Sequence, residues 1–165
     1  MTQPSSQTLS ASRLAAVQAL YLVATTDADY TKVVRDFLMG RLGGLAIEED
    51  PDTEDETQVL LAEIDHGTFS RLVAEAVAQQ EDIDAMIDAN LSAEWPADRL
   101  ETILRAILRA AIAELMGALD TPVRVTISEY VDIAHAFYSG PEPKLVNAVL
   151  DKIAHALRGR ELAAS

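Results

Sequence analysis

Between Leu100 and Met116 the apolar residues Leu100, Ile103, Leu104, Ile107, Leu108, Ala111, Ile112, Leu115 and Met116 recur every three or four positions, painting one continuous, wide stripe. A strand would need alternation with a period of two, which this run lacks. A helix with so broad an apolar face must be covered on several sides, so it is expected to be the central, most buried element of an all-α fold. On its opposite face Glu101 and Arg105 stand four apart in the favourable orientation, a pairing worth only about a few tenths of a kcal/mol.

The rest of the chain keeps the same period. Ser10 or Ser12 can cap a first helix over Leu14 to Ala24, with Leu14, Val17, Leu20 and Tyr21 on one face. After the Asp27 to Asp29 turn, Val33, Val34, Phe37, Leu38 and Arg41 mark a second helix of about three turns that Gly43-Gly44 would stop. Val59, Leu60, Ile64, Phe69, Leu72, Val73, Ala76 and Val77 fit either two short helices or one bent at Gly67. Ile83, Met86, Ile87 and Leu91 continue on another, ended by Trp95-Pro96; Trp95 is expected to plug the core there, and Asp98 to cap the central helix.

Beyond Asp120-Thr-Pro122 a sixth helix is expected from Thr126 or Ser128, with Val131, Ile133 or Ala134, and Phe137 facing inward until Ser139-Gly140-Pro141 breaks it. Pro143 suits the first turn of a seventh, which buries Leu145, Val146, Val149, Leu150 and Ile153 and closes at Arg158-Gly159. With 165 residues and 49% hydrophobic content the chain can build one domain with a core. A single compact helical domain of about seven helices is therefore expected over residues 12–158, between a flexible segment 1–11 and a tail 159–165.

Charge narrows the function. Thirteen Lys and Arg against 27 Asp and Glu give a net charge of −14, a field that repels phosphate and attracts basic partners. Seven of the acids fall between Glu48 and Glu56, around Pro51, so an exposed acidic loop is expected near 47–57. Such a run is usually plain solvated surface; docking of a basic protein is the functional alternative. Without cysteine there are no disulfides and no thiolate chemistry or Cys-ligated zinc, which fits a reducing cytoplasm. Met1 to Ser10 lacks the features of a secretory signal and no run of about 18 apolar residues exists, so a soluble, cytoplasmic protein with no membrane contact is expected.

Catalytic patterns are missing. A di-metal helical bundle needs paired Glu-x-x-His motifs, whereas this chain offers Asp132-Ile-Ala-His135 and the Asp151, His155 pair, better read as surface residues. There is no nucleophile elbow, no Walker A loop and no G-x-G-x-x-G. No metal, no cofactor and no enzymatic activity are expected.

Several blocks in fixed order do carry a likeness: Val17-Gln-Ala-Leu-Tyr21, Trp95-x-x-x-Arg99-Leu100, Ile107-Leu-Arg109, Glu114-Leu115 and Val146-Asn147 through Lys152-Ile-Ala154. Over roughly Arg13 to Leu157 the chain resembles the NusB family. The resemblance implies a small all-helical, non-enzymatic transcription antitermination factor. It would bind boxA-type RNA together with the ribosomal protein NusE, within the transcription elongation complex.

An RNA surface would then form where the N-terminal segment meets the loop between the last two helices, at Arg13, Gln18, Phe137, Lys144, Leu145 and Lys152. Phosphate calls for cations and unstacked bases call for flat side chains. The protein partner would use an acidic surface at Glu101, Leu104 and Arg105. Departures from the family pattern are concrete: Gln7 to Ser12 stand where several arginines are usual, Leu145 replaces an aromatic, and Leu104 replaces the usual acid before Arg105-Ala-Ile-Leu-Arg109. They keep a second reading open, a NusB-fold interaction module that has lost RNA binding and competes for the protein partner. A third is a stand-alone relative of the helical domain preceding the catalytic domain in some ribosomal RNA cytosine methyltransferases. An apolar helical face can also pair isologously, so a homodimer stays open.

Overall fold

A serine near the start of the chain, not Ser10 or Ser12, opens the first helix. In the computed structural model, which describes residues 4–39 and 64–164, the Ser5 hydroxyl accepts the Thr8 N–H at 3.1 Å and caps α1, Ser6–Thr25. No breaker separates Ser6 from Ser12, so residues 6–11, expected to be flexible, are helical. Among the described residues there are seven α-helices, one short 3-10 helix and no strand. The expected stop at Gly43-Gly44, the acidic loop near 47–57, and Arg41, Val59 and Leu60 lie outside the described residues. Among the described residues no helix is long and apolar enough to cross a membrane.

The helices gather into two compact units, the first ending at Ala74 and the second beginning at Glu75. In the first, Asp29 caps α2, Tyr30–Leu38, by accepting the Thr31 N–H at 3.2 Å, and α2 packs against α1. Ser12 is buried inside α1, where its hydroxyl donates to the Thr8 carbonyl at 2.7 Å and accepts the Asp65 N–H at 2.8 Å. Asp65 in turn starts α3, His66–Ala78, by accepting the Thr68 N–H at 2.9 Å and the Thr68 hydroxyl. Those hydrogen bonds from Thr68 hold the Asp65 carboxyl below its ordinary value. Gly67 falls in the first turn of α3, where a glycine costs little, and Phe69 meets Phe37 with ring centroids 5.4 Å apart.

The second unit is organised around α5, Thr102–Gly117, which packs against α4 (Gln80–Asn90), α6 (Val123–Phe137) and α7 (Glu142–Ala164). Ten residues of α5 are buried, from Leu104 to Leu115, as its stripe requires of a central helix. Fully burying each Leu or Ile contributes roughly 1.5–3 kcal/mol. Four of the ten are alanines, Ala106, Ala110, Ala111 and Ala113, whose short side chains let neighbouring backbones approach.

Three termini differ from expectation for local reasons. Asp98 lies in the 3-10 helix Ala97–Arg99, and Glu101 takes the position before α5 without a side-chain cap; Trp95 is only half-buried beside that turn, not a core plug. Helix α6 starts right after Pro122 instead of at Thr126 or Ser128, because Glu161 reaches over and accepts the Val123 N–H at 2.8 Å. Helix α7 does not end at Arg158-Gly159. Arg158 leaves helical geometry (φ −136°, ψ 37°) and the helix resumes to Ala164. Its buried guanidinium donates across to the Leu119 and Thr121 carbonyls at 3.1 and 2.8 Å and to Glu161 at 2.5 Å, instead of capping its own helix.

One polar group sits in the middle of the α5 face. Glu114 is 3% exposed and accepts the Tyr130 hydroxyl at 2.8 Å and, more weakly, that of Thr126 at 3.4 Å. Replacing Tyr130 by Phe keeps the ring and removes the donor. Tyr130→Phe is expected to lower stability by about 1–3 kcal/mol in urea unfolding, the worth of one hydrogen bond to a buried carboxyl group; an unchanged midpoint would mean that Glu114 does not depend on that hydroxyl.

Candidate nucleic-acid and partner interface

Helix α6 runs out at Phe137, and the turn from there to α7 is shaped by Tyr138, Gly140 and two prolines. Tyr138 is extended (φ −133°, ψ 138°) while its N–H still reaches the Ala134 carbonyl at 2.9 Å. Pro141 cannot continue a helix, but its carbonyl accepts the N–H groups of Lys144 and Leu145 at 3.1 and 3.2 Å and so opens α7. Pro143 sits in that first turn, where its missing N–H costs nothing. At Gly140 a Cβ would stand 2.9 Å from Glu142 Oε2, so glycine lets the Glu142 carboxylate fold against the turn.

Phe137 is expected to face inward with Val131 and Ile133 or Ala134; Ile133 and Ala134 are buried and Val131 is half-buried. Phe137 is instead 42% exposed. The helix ends at this residue, so no further turn covers it, and Tyr138 is the side chain that turns inward. The half-buried Tyr138 donates its hydroxyl to Glu101 Oε2 at 2.9 Å, just before α5. Burial, then the hydrogen bond to Glu101 and the charges of Glu101 and Glu142, push the phenol above its ordinary value and keep it a donor. An exposed flat ring thus stands beside an anchored one.

The remaining expected RNA contacts divide. Lys144 and Lys152 are exposed on α7 and make no ion pair among the described residues. Leu145 is 7% exposed, a core residue at the start of α7 rather than a platform for bases. Arg13 and Gln18 lie on α1 of the first unit; Gln18 is half-buried, while Arg13 is buried and already partnered, so its guanidinium is not an open phosphate contact.

On the expected partner surface only Glu101 is exposed. Leu104 belongs to the core. Arg105 does not pair with Glu101 but reaches α4, donating to Asp84 at 3.4 Å and Asp88 at 3.0 Å, and to the Ala97 carbonyl at 3.2 Å. Arg109, one turn on, grips Asp84 with two bonds of 2.8 Å. The sequence carried a signal for this ladder, since acids four apart at 84 and 88 match bases four apart at 105 and 109. Burial pushes the Asp84 carboxyl up, but the hydrogen bonds and charges of Arg109 and Arg105 outweigh it and leave it below its ordinary value.

Among the described residues no nucleophile is hydrogen-bonded to a base in the groove that comes nearest to such a site. Ser128, Asp151 and His155 line one open groove between α6 and α7, yet no hydrogen bond joins Ser128 to His155. His155 Nδ1 instead lies 2.8 Å from the Asp151 carbonyl of its own helix. All three histidines are exposed, and no group of three or more His, Cys, Asp or Glu among the described residues is placed to hold a metal ion.

These features define an all-α protein, with no strand among the described residues. Residues 10–155 match the model of the NusB family. Among curated proteins, the transcription antitermination protein NusB of Rhodospirillum rubrum is 51% identical over 155 residues, covering 90% of this chain and 84% of that one. The protein of the same name from Granulibacter bethesdensis is 41% identical over 153 residues, covering 93% and 91%. A solved structure of T. maritima NusB superposes with a TM-score of 0.67 at 25% identity, covering 99% of both chains. The chain belongs to the NusB family.

A lowered folded-state pKa at Asp84 adds stability above the unfolded carboxylate range, and that stability is lost as pH falls through the folded value. Asp84→Asn is therefore expected to cost roughly 1–3 kcal/mol near neutral pH. The gap to the parent should be constant down to about pH 5 and shrink as pH falls below the unfolded carboxylate range, measured by urea unfolding across acid pH. A gap that widens in acid would contradict the ladder.

Proposed function

We propose that this protein is a transcription antitermination factor, a non-enzymatic cytoplasmic adaptor that binds boxA-type RNA together with the ribosomal protein NusE in the transcription elongation complex. Membership of the NusB family over residues 10–155 carries this reading. The turn between α6 and α7 supports it physically: Phe137 offers a face for one unstacked base, and Lys144 and Lys152 offer cations for phosphate.

Charge explains why a partner is needed. With a net charge of −14, and with Arg105, Arg109 and Arg158 engaged inside the protein, the remaining cations must hold RNA against a repelling field. A basic protein docked on the exposed Glu101 would supply positive charge beside the turn. RNA and protein partner are then read by different side chains of one helical unit.

The test is fluorescence anisotropy with labelled boxA RNA in the presence of NusE. Phe137→Ala is expected to weaken binding by about 5- to 150-fold, the loss of one stacked base, and to cost less stability than a core Phe→Ala because the ring is 42% exposed. Lys144→Ala should weaken binding less and flatten the plot of log affinity against log salt by about 0.7, one phosphate contact on a single strand. Equal affinity for the parent and Phe137→Ala would remove the turn from the RNA surface; a NusE complex that gains no RNA affinity would mark a competitor instead.

A further inference from the structure

Both proposed surfaces meet at one hydrogen bond. Tyr138, next to the exposed Phe137, donates its hydroxyl to Glu101 Oε2 at 2.9 Å, and Glu101 is the acid that a basic partner would find exposed ahead of α5. We infer that Tyr138 is a positioning residue that couples the two: a cation docking on Glu101 fixes the acceptor of the Tyr138 hydroxyl, and so orders the turn that presents Phe137 and Lys144 to RNA. This rests on the proposed RNA and partner surfaces and adds a route between them.

A carboxylate accepts through two oxygens, and Tyr138 occupies one of them. Oε1 remains for an arginine or lysine, so partner and phenol need not compete. In the free protein Glu101 is exposed, and water exchanges with its acceptor sites. A bound cation excludes that competing water and holds the carboxylate still, so the Tyr138 hydroxyl keeps one fixed acceptor. Because that phenol is half-buried and belongs to the residue following Phe137, the gain is delivered to the backbone carrying the stacking ring. Linkage then requires the reciprocal effect: RNA on the turn raises affinity for the partner by the same factor.

Nothing else in the turn performs this task. Lys144 points its charge to solvent without an ion pair among the described residues, and the Glu142 carboxylate folds back over Gly140. Arg105, expected to neutralise Glu101, is drawn away by Asp84 and Asp88. The ladder on α4 therefore keeps Glu101 available to a cation from outside.

The experiment measures the affinity of labelled boxA RNA for the full chain with and without saturating NusE, in the parent, Tyr138→Phe, Glu101→Gln and the double variant. The ratio of the two affinities is the readout, since contacts between NusE and RNA contribute equally to every variant. Tyr138→Phe should change RNA binding by the chain alone less than about threefold while reducing the ratio by about 3- to 10-fold, the size of one net hydrogen bond. Glu101→Gln retains an acceptor for the phenol but offers no charge, so it should weaken NusE binding. The double variant should lose no more coupling than the larger single loss, as expected of two residues acting through one bond. A ratio in Tyr138→Phe equal to that of the parent overturns the coupling and leaves the adaptor reading standing; a parent that shows no NusE-dependent gain overturns both.

Discussion

The burial of α5 is the constraint on which the second unit depends. A helix whose face from Leu104 to Leu115 is removed from water has to be enclosed, and α4, α6 and α7 each pack on it. Its alanines admit close neighbours and its Ile and Leu residues fill the space between them. Glu114 then fixes the arrangement further, because a carboxyl group buried in that face needs donors, and Tyr130 and Thr126 of α6 provide them. Hydrophobic burial supplies the drive while the polar group selects the register of α6.

The ends of α5 are tied as firmly as its middle. Near its start, Arg105 and Arg109 lock onto Asp84 and Asp88 of α4, and Glu101 takes the Tyr138 hydroxyl from the turn after α6. Beyond its end, Arg158 clasps two carbonyls of the connection to α6, whose first N–H is taken by Glu161. That N–H first, and then Arg158, hold the Glu161 carboxyl below its ordinary value. Three of the chain's 13 cationic side chains are engaged in these ties, against a net charge of −14. A field of that sign opposes the approach of any polyanion to the free protein.

The helices themselves were legible because apolar spacing reports helix faces directly, and α5 was recognisable as the central helix from a run of nine apolar positions, all but Leu100 within it. Ends were harder. Ser12 has the composition of a cap but sits where a mid-helix hydroxyl can reach Asp65, a contact 53 residues away in sequence that no local pattern encodes. Arg158-Gly159 reads as a helix stop, whereas a tertiary demand from the Leu119 and Thr121 carbonyls bends the helix there instead. Of the candidate site, the identity of Phe137 and Lys144 was readable from family resemblance, but not the exposure of the ring. Periodicity assigns Phe137 inward because it cannot register that the helix ends at that residue. Tyr138 escapes local patterns for a related reason: its partner, Glu101, is remote in sequence and is itself expected, by spacing, to face Arg105.

The most direct test is a hydrogen-exchange footprint of the full chain, free and bound to NusE and boxA RNA. The interior amides of α5 should exchange slowest and remain unchanged, while RNA adds protection across residues 137–145 and NusE around residues 99–105. Protection by RNA confined to other segments, with the turn between α6 and α7 exchanging as in the free protein, would contradict the placement of the nucleic-acid surface.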